Sequence, residues 1–383
     1  MDTSKFEQIR LEQYPLVQKY TYLDTSTTGV FSTRSRDAMV DFIDDRYSGG
    51  MDMYDFVDNW KHADALRETA AKVINADANE IFFSASSSEM LNVFTNGIEL
   101  KENANIITTD LAFPSTVYNW FNRVGEDNVR FAKSEDGQVP AEKLFELVDE
   151  NTAVIALCMV ENTSGWYHDI KTIGEFCKSR GIYLVLDATQ CICAMNIDVK
   201  EMHIDFLAVS SYKWLGGVFG VGFSYVSNRI LDKISPKYVG WTGNKNRTDH
   251  SRYNLDLSDG ANRFETGSLN WVGLRGLEQS LNIYLELGKD DVEAYILSLV
   301  EYLYEKVSKS KVLGLVGPFP KERRSGIVYI KFPIEWKLND RILRENGIRA
   351  HATNSGTIRV GIHFFNNKED IDKLINYLES LAV

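Results

Sequence analysis

The chain has 383 residues, 44% hydrophobic and 25% charged, which suits one large globular domain with a smaller one beside it. A formal net charge of −12 argues against nucleic acid or an anionic membrane as a partner, and no apolar run is long enough to span a bilayer. Cys158, Cys177, Cys191 and Cys193 do not make a disulfide framework. Cys191 and Cys193 have no second pair to complete a zinc site, so buried structural thiols are expected.

The N-terminus, Met-Asp-Thr-Ser-Lys-Phe-Glu, lacks the charged-then-apolar form of a signal peptide, so a cytoplasmic protein is expected. Helices are predicted over Ser35–Tyr47 and Asp58–Ile74. Residues 80–226 then alternate strand-like and helix-like segments. The predicted strands are Ile81–Ala85, Asn105–Thr109, Val129–Lys133, Val154–Val160, Tyr183–Asp187, Phe206–Ser210 and Gly222–Val226. Ala141–Glu150 and Lys171–Arg180 read as amphipathic helices between them. This alternation predicts a mostly parallel sheet covered on both faces, which binds ligands at the carboxyl ends of its strands. Beyond Phe264, long helices are predicted over Val272–Leu287 and Asp291–Val307. A strand over Gly326–Phe332, a helix over Leu338–Asn346, a short strand over Thr357–Gly361 and a closing helix over Lys368–Leu381 follow. Gly347 fits a left-handed helix cap.

Polar or aromatic residues end or follow five of the predicted strands: Ser86-Ser87-Ser88, Phe113, Asn162, Asp187 and Lys213. A lysine in that position can form a Schiff base with an aldehyde cofactor, and an aspartate can hold a protonated pyridine nitrogen. Those are the two groups that pyridoxal phosphate chemistry needs from a protein. The serine run at a predicted helix start offers N–H groups and hydroxyls to a phosphate, and reads equally as an N-cap. Phe113, before Pro114, could cover a cofactor ring or pack a loop. Asn162 and Gln190 could reach a ring oxygen or cap their own loops.

In chain order, Ser-Ser-Ser-Glu-x-x-Asn, Phe-Pro-Ser, Glu-Asn-x-x-Gly, Asp-Ala-x-Gln, Ser-x-Tyr-Lys-Trp-Leu-x-Gly and Arg263-Phe-Glu-Thr-Gly-Ser268 resemble the class V aminotransferase superfamily. That superfamily includes cysteine desulfurases, selenocysteine lyases, kynureninases and isopenicillin N epimerase-like proteins. The resemblance runs from Tyr22-Leu-Asp-Thr-Ser-Thr-Thr28 to Asp370. It implies an α/β fold, the pyridoxal-phosphate-dependent transferase fold type I, with a seven-stranded large domain and a small α+β domain. Expected bounds are residues 1–20 for an N-terminal arm packing on the small domain, 21–284 for the large domain and 285–383 for the small one. The resemblance further implies that Lys213 carries the cofactor and moves the α-proton, while Asp187 pairs with the pyridine nitrogen. Ser86, Ser87, Ser88 and Ser210 belong to the phosphate and cofactor set. Phe113, Tyr212, Asn162 and Gln190 surround the ring. Arg359 holds the substrate carboxylate, with Thr27 and His351 beside it. Gly267 and Ser268 match a segment that completes a neighbouring subunit's phosphate site, so a homodimer is implied.

The departures from the family narrow the chemistry. Desulfurases usually stack a histidine where this chain has Phe113, and carry a histidine where it has Tyr212. The segment Arg349–Gly356 holds no cysteine to attack a substrate sulfur. The expected activity is therefore β-elimination or side-chain cleavage on an α-amino acid, of the C–S type. Transamination is the alternative, followed by epimerisation or a non-catalytic homologue. Tyr118, Trp241, His351 and His363 are candidates to line the substrate pocket, and the roles of Asn270 and Trp271 stay open.

Overall fold

The computed structural model describes residues 3–249, 251 and 253–382. A short strand, β1 (Thr21–Tyr22), precedes the seven strands of the central sheet. These are β2 (Ile81–Ser84), β3 (Asn105–Thr109), β4 (Val129–Ala132), β5 (Thr152–Cys158), β6 (Tyr183–Asp187), β7 (Phe206–Ser210) and β8 (Gly222–Val226). Their spatial order is β2-β8-β7-β6-β5-β3-β4. Only β8 runs against its neighbours, so the sheet is mixed but mostly parallel. Every residue of β3, β7 and β8 is buried, as the near-continuous apolar runs require of a sheet covered on both faces.

Strands β9 (Gly314–Leu315), β10 (Ile327–Lys331), β12 (His351–Thr353) and β13 (Thr357–Gly361) form a second, four-stranded antiparallel sheet ordered β12-β13-β10-β9. Between them in the chain, β11 (Ile348–Arg349) pairs in parallel with β1, and Asp24 bridges to Gly361. The N-terminal segment is thereby tied to the last strands of the chain. The helix Ser4–Gln13 is fixed there too. Arg10 Nη1 donates to Asp370 Oδ2 (2.8 Å) and to the carbonyl of Phe365, while Nη2 reaches the Val17 carbonyl (3.2 Å).

The predicted elements recur with shifts that have local causes. The helix expected over Asp58–Ile74 starts at Met53, because Asp52 and Asp55 form a reciprocal cap ahead of it. The helix expected over Ala141–Glu150 ends at Phe145. Asp149 is drawn instead into bonds from Asn105 Nδ2 (2.8 Å), Arg130 Nη2 (2.5 Å) and the Asn151 N–H (2.9 Å). These donors hold its carboxyl well below the usual range. The strand expected to reach Val160 stops at Cys158, since Val160 already bridges back to Tyr167. Gly347 has φ +75°, the left-handed conformation expected of it.

Candidate active site

Parallel packing delivers the polar strand ends to one edge of the central sheet. Asp187 ends β6 and stands level with Cys158 of β5 and Ala208 of β7. Its Oδ1 accepts the Thr189 N–H at 2.8 Å, a local turn that fixes the carboxylate at the strand end. Thr189 Oγ1 in turn accepts the Ser210 N–H (3.0 Å), and Ser210 Oγ accepts the Ser87 N–H (2.8 Å). Ser210 thus joins the start of the helix Ser87–Gly97 to the end of β7. Ser86 caps that helix by accepting the Glu89 N–H (3.2 Å), and Ser88 Oγ bonds Ser115 Oγ (2.6 Å). Serine hydroxyls, helix-start N–H groups and the dipole's positive end are groups that could hold a phosphate.

Lys213 lies three residues beyond β7 and is buried. Its Nζ stands 5.6 Å from the ring centroids of both Phe113 and Tyr212. Burial pushes its ammonium below the ordinary range. The charge of Asp187 opposes that shift, and Arg359 adds to it. The backbone here is packed against residue 29. The Gly29 N–H donates to the Tyr212 carbonyl (2.8 Å), and a Cβ on Gly29 would lie 1.8 Å from the Lys213 carbonyl oxygen. Only glycine fits that approach. Phe113 is 43% exposed, and its N–H donates to Cys158 Sγ at 3.4 Å. Tyr212 stacks on the exposed ring of Phe219, centroids 4.6 Å apart.

Asn162 joins the two sheets. Its Oδ1 accepts Gln190 Nε2 (2.9 Å) and Arg359 Nη1 (2.7 Å), and its carbonyl accepts the Tyr329 hydroxyl (2.8 Å). Gln190 is oriented by the donor-only indole of Trp214, whose Nε1 reaches Gln190 Oε1 at 3.0 Å. Arg359 Nη2 donates to Thr27 Oγ1, with Asp24 Oδ1 3.8 Å away. Arg359 Nε is buried and lacks a partner among the described residues. Arg359 is thus bonded through both terminal nitrogens and keeps one spare N–H donor, of the kind a carboxylate accepts from.

The predicted residues fall into two bonded groups, Asp187, Ser210 and Ser87 in one and Asn162, Gln190, Thr27 and Arg359 in the other, with Phe113 and Tyr212 beside Lys213. His351 lies across from Arg359 in the β12–β13 register, but its Nδ1 pairs with Asp340 Oδ2 (3.1 Å). Gly267 and Ser268 line a cavity of about 280 Å³ with Ser84, Ala85 and Glu89, and make no hydrogen bond to Ser87 or Ser88 among the described residues.

Two pocket candidates make contacts of their own, and Trp241 also lines a cavity with Val239, Asn244 and Tyr253. His363 is a buried core histidine: Nε2 bonds the Trp214 carbonyl (2.8 Å), and Nδ1 accepts the Phe364 N–H (2.9 Å). Burial pushes its pKa down to about 3. Trp241 packs on Phe56 and Trp60, and Trp271 packs on Trp60 at 4.7 Å, an aromatic cluster that holds helices together. Tyr118 is 65% exposed and leans on Phe121. Asn270 caps the helix Trp271–Leu287. The sequence reading missed Thr189, Trp214, Tyr329 and Gly29. Of these, Trp214 carried a signal, as part of the Ser-x-Tyr-Lys-Trp-Leu-x-Gly motif, but no role was read from it.

The family model for aminotransferase class-V matches residues 21–374. This chain belongs to the class V aminotransferase family. It is 32% identical over 397 residues to cysteine desulfurase IscS of Clostridium botulinum, covering 95% of both chains. It is 26% identical over 396 residues to a probable cysteine desulfurase of Methanothermobacter thermautotrophicus, covering 96% of both. Among solved structures, the cystine C–S lyase C-DES in complex with its product cysteine persulfide superposes with a TM-score of 0.87. That match covers 96% of this chain and 99% of the other, at 19% identity, and carries the fold: pyridoxal-phosphate fold type I. The class V chain is a pyridoxal-phosphate-dependent enzyme. Its residues fit the cofactor, with a buried lysine of lowered pKa, a fixed aspartate, a serine-lined helix start and an arginine with a spare buried donor.

Proposed function

We propose that this enzyme is a C–S lyase that removes a sulfur-bearing substituent from Cβ of an L-α-amino acid. Phe113 and Tyr212 favour this reading over transamination, and one observation carries it over persulfide-forming desulfuration. The β12–β13 hairpin is closed by Thr353–Thr357 pairing around Asn354, Ser355 and Gly356, and it holds no thiol. The four cysteines are all buried. Burial raises each thiol pKa, that of Cys177 to about 12. None is a ready nucleophile to take sulfur from the substrate.

Pyridoxal phosphate held by Lys213 and the serine cradle supplies an electron sink for the pair left on Cα when its proton is removed. The residues of the chain do the rest. Lys213, disposed by burial to lose its own proton, takes the α-proton. Asp187 would keep the pyridine nitrogen protonated, and Asn162, held by Gln190, would serve the ring oxygen. Ser86, Ser87, Ser88 and Ser210 take the phosphate. Arg359 and Thr27 orient the substrate carboxylate, and His351 stands beside the substrate side chain. The Cα–H and Cβ–S bonds break, sulfur leaves with the bonding pair, and water releases the remainder as a 2-oxo acid and ammonia.

The same reading makes the enzyme a homodimer, with Gly267 and Ser268 serving the partner's phosphate. The exposure of Phe113, Phe219, Tyr238, Tyr253 and Leu255 supports it. It divides the chain at residues 20 and 284 into arm, large domain and small domain. It also places the protein in the cytoplasm, where free thiols are usual. No helix among the described residues is long and apolar enough to cross a membrane.

The test is visible absorbance of the cofactor-loaded protein with a panel of L-amino acids including L-cystine, with products identified. The expected result is a persisting cofactor band while 2-oxo acid, ammonia and a sulfur product accumulate over many turnovers. Stoichiometric conversion to the pyridoxamine form, restored by an added 2-oxo acid, would make it a transaminase instead.

A further inference from the structure

The residue before Asn162 has no part in the chemistry above. Glu161 is fully buried, and so is His168. Glu161 Oε1 accepts the Thr109 hydroxyl at 2.6 Å and bonds His168 Nε2 at 2.9 Å. The backbone around them is a closed loop. The Glu161 N–H donates to the Trp166 carbonyl (2.9 Å), the Gly165 N–H to the Glu161 carbonyl (2.8 Å), and the His168 N–H to the Met159 carbonyl (3.1 Å). Thr109 ends β3, so the carboxylate ties this loop to the central sheet.

Glu161 Oε2 and His168 Nδ1 are buried without partners among the described residues. An apolar pair of similar volume would fill the same space without leaving polar atoms unmet. What a carboxylate and an imidazole add is direction: the loop is held in one orientation. At its tip, Asn162 bonds Gln190 on the central sheet and Arg359 on the second sheet through one oxygen.

We propose that Glu161 and His168 are positioning residues, a buried clamp that sets Asn162 and, through it, the placing of Arg359 for the substrate carboxylate. The proposal rests on the assignment of Arg359 to that carboxylate.

Glycine is the probe, because it carries the α-amino and carboxylate groups and has no β-substituent to lose. Its binding is read from the visible spectrum of the cofactor-loaded enzyme, and kcat and KM are measured on L-cystine. Glu161→Ala and His168→Ala should each weaken glycine about tenfold, through the loss of the buried hydrogen bonds to Glu161. KM should rise alongside while kcat changes less than about threefold and the cofactor band stays put. Glu161→Gln keeps an acceptor for Thr109 and should bind within about threefold of the parent. A general packing role would weaken cofactor and glycine together and would not be rescued by glutamine. If Glu161→Ala does not fold, Thr109→Val combined with His168→Ala replaces it. The pair should then weaken glycine more than His168→Ala alone, because it leaves Glu161 with neither of its side-chain partners. Arg359→Ala separates the two claims. If it binds glycine normally, the carboxylate assignment fails. If it binds weakly while the Glu161 and His168 variants bind like the parent, the clamp alone is overturned.

Discussion

Lys213 shows how one residue carries opposing demands. Its ammonium is destabilised by burial, yet it stands near the countercharge of Asp187. A depressed lysine binds fewer protons in the folded chain than in the unfolded one between its folded pKa and its ordinary value of 10.5. Stability therefore rises with pH through that window, and below it the full penalty applies. Lys213→Met should abolish turnover, yet raise the melting temperature of the cofactor-free protein at neutral pH. The gain should shrink as pH climbs toward 10.5, which a pH series of thermal melts would check. Lys213 and Asp187 were legible in the sequence because each closes or follows a short apolar strand, a pattern that fixes where the side chain ends up. Trp214 and Tyr329 were not legible in their roles. Their partners Gln190 and Asn162 lie on other elements, Tyr329 being 167 positions from Asn162, and pairing over that span is set only by packing.

At the scale of elements, the seven strands of the central sheet were read to within about two residues, since buried strands announce themselves as apolar runs, whereas the short strands β1, β9, β11 and β12 were missed. The helix starting at Ala141 was over-extended because a side-chain competitor, Asp149, decides where it ends. The segment Asp24–Gly29 was the hardest to read: it is neither helix nor strand, yet it touches Arg359, Gln190 and Tyr212. Gly29 packs there against the Lys213 carbonyl, leaving no space for a Cβ. Gly29→Ala should cost at least about 1–3 kcal/mol from overpacking. It should also weaken cofactor retention, seen as a lower denaturation midpoint and loss of the visible band on dialysis.

For the whole molecule, the N-terminal helix is an integral part rather than an appendage. Arg10 and Asp370 form an ion pair with side chains 10% and 1% exposed. Breaking such a pair strands a buried carboxylate, so Arg10→Met should lower unfolding stability by about 3–5 kcal/mol. Urea denaturation would measure it, and an Asp370→Leu partner change should recover part of the loss. The pairing of β1 with β11, and of Asp24 with Gly361, has a consequence for how the enzyme is born. Synthesis delivers residues 21–29 first and their partners near residue 350 last. The central sheet can close around Lys213 while the chain is still being made, but the arginine side of the cleft cannot exist until translation is nearly finished. A chain that stops short of β13 therefore lacks the Arg359 side of the cleft, however completely its central sheet has formed.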